Sequence, residues 1–229
     1  MTDSAAAPGR LLPADRFHGG VRVATLALWL GSIVVAYVVL GLIATPFIGQ
    51  LGGLGVILLL LVAIVVAQPI AWLGEKQLLA HWPSGRAVQL EPGALVWRDR
   101  GPQTRLDLGQ KVNYWRWRFY VGKRRKGRVP GNYHCFAVRL VQDDTVVTLY
   151  SFLSPNSADA LAARIPFYEL RRPSDINKPS LGGRDAIFLA AEHTRWEEGA
   201  ELDPTDFEAL AGHLAAYLPD FPRSTQSGV

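Results

Sequence analysis

Cysteine and the familiar catalytic patterns are scarce or missing in this 229-residue sequence. A single cysteine, Cys135, excludes an internal disulfide framework and a zinc site built on cysteine pairs. The sequence contains no G-x-S-x-G, Walker A, G-x-G-x-x-G or H-E-x-x-H pattern. Its five histidines do not cluster. We therefore expect no cofactor, no metal site and no catalytic residue, although an enzyme of unfamiliar type stays open.

Charge is missing from a long central stretch. Arg22 is the last charged residue before it and Glu75 is the first after it. About 20 residues span the hydrocarbon core of a bilayer, so this stretch is long enough for two crossings and a turn. We predict a transmembrane hairpin over residues 21–75, with crossings at about 21–44 and 54–73. Thr45-Pro46 is expected to end the first crossing, because proline disfavours a helical residue before it.

The flanking charges predict the orientation of the hairpin. Arg10, Arg16 and Arg22 precede it, Lys76 and Arg86 follow it, and the connecting turn has neither lysine nor arginine. The positive-inside rule then places both termini in the cytoplasm, with the protein in the inner or plasma membrane. Residues 1–20 are expected to be a flexible tail. A cleaved signal peptide is the alternative for the first segment.

Small residues recur at helical spacing within both crossings. They allow two helices to approach closely. Packing within the hairpin is the favoured interpretation, and packing against another membrane protein is the alternative. The residues are Ala27, Gly31, Ala63 and Ala67.

The pattern changes to that of strands after the hairpin. Short apolar runs alternate with turn signals such as Glu91-Pro92-Gly93 and Asp143-Asp144. About six strands follow, or seven if the longest one breaks, and hairpin connections predict a bent antiparallel sheet. A helix then begins with Ser154 as N-cap and Pro155 at its first position.

This order of elements resembles the bacterial PH-like (bPH) membrane proteins: a transmembrane hairpin, a meander of strands, then the helix SPNSADALAARI. The resemblance covers about residues 26–165 and lies in layout alone. It implies a membrane α-hairpin plus an α+β soluble domain, in which an antiparallel PH-like β-barrel over residues 84–166 is capped by one helix. The barrel would lie at the cytoplasmic leaflet.

Residues 167–229 fall outside that layout and are predicted to be an acidic, helical C-terminal extension. Residues 166–229 carry 6 Lys and Arg against 11 Asp and Glu. A helix is expected at about 204–218, with Asp203 as N-cap. We interpret its apolar stripe as a partner-facing surface, formed by Phe207, Leu210, Leu214 and Leu218.

A basic segment near the middle of the chain is the main candidate site. Residues 86–128 carry 12 Lys and Arg against 3 Asp and Glu. Anionic lipids attract such clusters, so lipid or acidic-partner contact is favoured over a solvated hairpin tip. Nucleic acid is a third, disfavoured interpretation, because no known binding motif is present. The candidate residues are Trp115, Arg116, Trp117, Arg118, Lys123, Arg124, Arg125, Lys126 and Arg128.

Two functions remain open beside an enzyme of unrecognised type. The first is a non-enzymatic scaffold or accessory subunit that presents its cytoplasmic domain to a membrane-protein partner or to the leaflet. The second is an anionic-lipid-sensing or lipid-handling module that uses the basic hairpin loop. Membrane lipids are expected partners in both, with another membrane protein in the first and nucleic acid in neither.

Overall fold

The charge-free stretch forms two long helices. A computed structural model describes residues 9–48, 52–121, 129–170 and 184–218. Helix α1 spans Gly19–Ile48 and helix α2 spans Gly53–His81. At about 1.5 Å per residue, each helix is longer than the ~30 Å hydrocarbon core of a bilayer. Both are long and apolar enough to cross a membrane, and they extend beyond the expected crossings at 21–44 and 54–73.

Proline does not end α1 at the expected position. Pro46 lies inside the helix, which continues to Ile48. The Thr45 hydroxyl donates to the carbonyl of Gly41 at 2.7 Å, which supplies a bond in the turn that proline weakens. The expected stop at Thr45-Pro46 is therefore wrong, and Pro69 is likewise accommodated inside α2.

The two helices pack through small residues, but only half of the predicted set takes part. Ala63 and Ala67 of α2 are fully buried, as predicted. Ala27 and Gly31 of α1 lie on its exposed side. The buried small residues of α1 are instead Ser32 and Ala36. The prediction failed for α1 because a helix that is apolar all round does not reveal which face meets its neighbour.

The rest of the described chain is a mixed α/β domain with two sheets. The first is antiparallel, with strand order β1-β2-β3-β4. Its strands are β1 (Arg10–Pro13), β2 (Arg86–Glu91), β3 (Ala94–Asp99) and β4 (Gln103–Asp107).

The second sheet has strand order β8-β5-β6-β7-β9. Its three long strands are antiparallel, and the two short edge strands pair in parallel. The strands are β5 (Asn113–Tyr120), β6 (His134–Gln142), β7 (Thr145–Leu153), β8 (Tyr168–Glu169) and β9 (Ala200–Glu201).

Three helices complete this domain: α3 (Pro155–Arg164), α4 (Arg184–Glu198) and α5 (Pro204–Tyr217). α3 begins as predicted, because the Ser154 side chain accepts a hydrogen bond from the Ser157 amide at 3.4 Å. The main core joins the inner faces of both sheets with α3 and α5. A second apolar cluster lies between the outer face of the second sheet and α4.

The N-terminal segment is part of this domain. Strand β1 pairs with β2 over four residues, from Arg10 opposite Leu90 to Pro13 opposite Ala87, and Leu12 is fully buried in the main core. The predicted flexible tail over residues 1–20 is therefore wrong for this stretch. The strand was missed because its partner lies more than 70 residues away along the chain, beyond the reach of local patterns.

The C-terminal segment also belongs to the domain rather than extending from it. One unit contains the residues up to Asp15 and from Gly85 onward, and the other contains Arg16–Ser84. Phe207, Leu210 and Leu214 of α5 are fully buried in the main core, and Leu218 packs against it. The predicted boundary at residue 167 and the partner-facing role of this stripe are therefore wrong. An amphipathic stripe shows that a helix buries one face, not what covers it.

The packing of the hairpin predicts different responses to the same substitution on its two faces. Ala67→Leu should destabilise the protein by about 1–3 kcal/mol, because added methylenes overpack a closed contact. Ala27→Leu, the matched control on the exposed side of α1, should leave stability unchanged. Thermal unfolding in detergent measures both. Equal destabilisation by the two variants would contradict this helix interface.

Candidate functional site

Strand β5 carries four of the predicted site residues, and both of its faces are covered. Trp117 is fully buried on the outer face, in the cluster beneath α4. Arg116 points to the other face and is only 2% exposed. Neither side chain is therefore available to a lipid surface, and the predicted contact role is wrong for both. The cover that α4 provides was not predicted from the sequence.

Of the other predicted residues, two are partly buried and the rest fall between residues 121 and 129, outside the described part of the chain. Trp115 packs at the edge of the outer cluster. Arg118 forms an ion pair with Glu169 of β8 at 3.3 Å. Lys123, Arg124, Arg125, Lys126 and Arg128 lie outside the described residues. The structure therefore does not bring the predicted basic and aromatic residues together on one exposed surface of the described chain.

Arg116 is buried beside Tyr114, a residue that packs against the main core. Its guanidinium lies 5.4 Å from the centroid of the Tyr114 ring. Burial raises the pKa of Tyr114 to about 12, although the positive charge of Arg116 and its hydrogen bond act in the opposite direction. This pair therefore keeps an uncharged phenol beside a cation inside the domain.

A second buried arginine organises the outer face of the second sheet. Arg195 of α4 is 2% exposed and donates from two nitrogens to the two carboxylate oxygens of Glu192, at 2.7 and 2.5 Å. Glu192 also accepts a hydrogen bond from the indole nitrogen of Trp117 at 2.9 Å. One carboxylate thus links α4 to β5 and neutralises a buried cation.

Aromatic rings enclose the same guanidinium. Its carbon lies 4.5 Å from the ring centroid of Tyr150 and 5.7 Å from that of Phe119, distances typical of cation–π contacts. Burial lowers the pKa of Arg195, but the hydrogen bond with Glu192 and the nearby Cys135, Glu192 and Tyr150 raise it overall. Burial is also the main cause that raises the pKa of Tyr150, to about 12. The Glu192 carboxylate and the surrounding rings therefore stabilise the positive charge of Arg195 in the interior.

Sequence reasoning missed this cluster. Glu192 and Arg195 are three residues apart on one helix, the spacing of a common ion pair, and this was the only local signal. Their partners Trp117 and Tyr150 lie on two strands of the second sheet, β5 and β7. Only the docking of α4 across the sheet reveals the arrangement.

A third polar cluster lies where the chain leaves the domain for α1 and returns from α2. Arg86 donates to Asp15 at 2.8 Å and to Asp99 at 3.0 Å. Asp15 in turn accepts a hydrogen bond from the amide of Glu201 at 2.8 Å. The last residue before the hairpin segment and the second residue after it are thus held by one ion-pair network.

The backbone holds the two ends of the inserted segment side by side. The Ala14 amide donates to the Arg86 carbonyl at 3.0 Å. Asp15 and Gly85, which lie inside that pair, have φ values of +50° and +78°. Two-residue hairpin turns of type I′ need positive φ at both central residues and favour Asp-Gly. Residues 16–84 are therefore inserted at the tip of a β1–β2 hairpin.

The described residues contain no group of three or more His, Cys, Asp or Glu side chains arranged to hold a metal ion. Cys135 is buried within β6. The clusters found among the described residues consist of ion pairs and packed aromatic rings.

Comparison with known proteins gave no match. No protein-family model matches the chain, and neither do the curated proteins or the solved structures. A functional proposal therefore depends on the residues and their geometry.

Loss of Glu192 should destabilise the protein. Glu192→Ala leaves the Arg195 guanidinium buried without its carboxylate, which costs about 3 kcal/mol or more. Labelling of the buried Cys135 thiol should accelerate accordingly, because opening of this face exposes it. Glu208→Ala, which removes an exposed ion pair with Arg164, serves as the control and should have little effect. Unchanged labelling in Glu192→Ala would contradict the proposed role of the pair.

Tyr114 and Tyr150, both partly buried, predict a loss of stability in alkali. Their pKa is about 12 in the folded chain, against 10 for a tyrosine freely exposed to water. Between these values the unfolded chain has released protons that the folded chain retains, so the free energy of unfolding falls as pH rises from 10 to 12. Below pH 10 both states are protonated and the contribution is constant.

Titration of tyrosinate absorbance, with denaturation measured across the same range, tests this expectation. Tyr114→Phe and Tyr150→Phe should each remove a late-ionising group and reduce the pH slope. Tyr120→Phe changes an exposed residue of the same strand as Tyr114 and is the control. If neither core variant alters the slope, the phenols are not held neutral by burial.

Proposed function

We propose that this protein is a non-enzymatic, membrane-anchored accessory module. In this proposal α1 and α2 cross the inner or plasma membrane as a hairpin and both chain ends lie in the cytoplasm. The domain formed by the two sheets is PH-like and is held at the cytoplasmic surface, where it is presented to a membrane-protein partner or to the leaflet.

The insertion of the hairpin between β1 and β2 carries this proposal. Strand β1 ends just before α1 and strand β2 begins just after α2, and the two strands are hydrogen-bonded neighbours. A folded domain occupies one side of a membrane, so both ends of the hairpin belong on the side of that domain. This supports the placement of both ends on one side, and the flanking arginines and Lys76 predict that this side is the cytoplasm.

The sheet arrangement supports the PH-like proposal. Four strands form one sheet, the next three long strands form the centre of a second, and α3 follows directly. This agrees with the layout that the resemblance implies. The placement of β1 before the hairpin and the additions β8, β9, α4 and α5 depart from the expected layout, so the resemblance extends to the central part of the domain alone.

The two kinds of partner differ in what supports them. The apolar stripe of α5 is filled by the domain itself, so it no longer argues for a protein partner. The lipid-contact alternative retains its sequence argument, the five basic residues between 123 and 128.

Excision of the hairpin tests the anchoring proposal. Joining Asp15 directly to Gly85 removes residues 16–84 and leaves an Asp-Gly turn between β1 and β2. We expect a folded domain in the soluble fraction, whereas the full chain stays with the membranes. A second variant with two added glycines at the joint allows for a turn that is too tight.

Fractionation, circular dichroism and protection of the Cys135 thiol measure the result. A folded domain that remains with stripped membranes after excision would show that the hairpin is not what anchors the protein. If neither joint yields a folded domain, the proposed insertion is wrong. The soluble variant also separates the alternatives, since equal binding to anionic and neutral vesicles would exclude lipid sensing by the basic loop.

A further inference from the structure

The two helices of the hairpin become polar at different heights. Three contacts define the register between them: Leu28 lies against Gly74, Leu59 lies beside Gly41, and His18 contacts Trp82. Position 24 of α1 is therefore level with about residue 77 of α2. Heights on the two helices can be compared directly from these pairs.

On α2 the polar region begins near Trp72. The ammonium group of Lys76 lies 3.6 Å from the Trp72 ring centroid, so its charge is held towards the apolar part of the helix. Gln77, one residue further on, is exposed. Tryptophan and snorkelling lysine mark the level of the lipid headgroups. On this side of the hairpin the hydrocarbon therefore ends close to Trp72.

On α1 the apolar surface continues beyond that level. Val23 is 69% exposed and Leu26 is 56% exposed, and Arg22 is the first charged residue. Gly74, the last residue of α2 before its charges, is level with Leu28. The uncharged run of α1 thus extends about five residues, or about 7 Å, further than that of α2.

We infer that the hairpin crosses the bilayer at a tilt. The tilt places the start of α1 deeper in the hydrocarbon than the end of α2, so that Val23 and Leu26 contact lipid acyl chains. This inference rests on the proposed membrane anchoring. Transmembrane helices are commonly tilted by about 20°, and an offset of about 7 Å between the charged ends of the two apolar runs favours such a tilt. The occupant of this apolar surface is lipid, because the surface continues without a break into the membrane-spanning part of α1.

Single cysteines at matched heights test the inference in the full chain. Leu26→Cys and Gln77→Cys are introduced in a Cys135→Ala background, and one copy is reconstituted in each lipid nanodisc. Leu58→Cys, within the predicted crossing of α2, is the protected reference, and Asp144→Cys, in the β6–β7 turn, is the water-exposed reference. The readout is the labelling rate with a water-soluble maleimide, which reacts with the thiolate.

Gln77→Cys should label like Asp144→Cys, and Leu26→Cys should label at least about tenfold more slowly, because a thiol in hydrocarbon does not ionise. Equal labelling at positions 26 and 77 with position 58 protected would overturn the tilt and leave the anchoring intact. Labelling at position 58 would overturn the anchoring itself. Protection of position 26 that appears only with two copies per nanodisc would show a second copy as the occupant and overturn the lipid assignment.

Discussion

The antiparallel pairing of β1 with β2 decides how the described chain is arranged. It brings together chain segments separated by the 69 residues from Arg16 to Ser84. Arg86 stabilises this arrangement through ion pairs with Asp15 and with Asp99. Closing so long a loop costs conformational entropy. The hairpin offsets this cost, because two antiparallel helices return the chain to its starting point, where His18 meets Trp82. Helix pairing and sheet pairing therefore support each other.

The two buried arginines of the domain have different surroundings that stabilise their charge. Arg195 has a bidentate carboxylate partner and an aromatic enclosure, so its desolvation is compensated locally. Arg116 lies over Tyr114 in the main core. Both arise because β5 is covered on each face, by the opposing core on one side and by α4 on the other. A strand with two arginines and two tryptophans is therefore an internal element here and not an exposed recognition surface.

The success of the sequence predictions follows the range of the interactions involved. Ser154 caps α3, Asp143 forms a turn with positive φ, and six strands from β2 to β7 lie where alternation and turn residues predict them. Each of these depends on neighbours within a few residues. Strand β1, the outward position of Ala27 and Gly31, and the burial of Arg116 all depend on distant segments. Periodicity reports that a face is buried, but the identity of its cover is a tertiary property.

The uncharged run over residues 23–74 was enough to predict two long apolar helices, because such a surface is unfavourable in water. Local patterns also predicted the strands that follow the hairpin and the start of α3. Three contacts between distant segments became visible in the folded chain: residues before the hairpin complete the first sheet, α5 fills the core, and α4 covers Trp117. Those outcomes depend on which apolar faces find each other across the chain, and the free energy of that choice comes from packing that no local window contains.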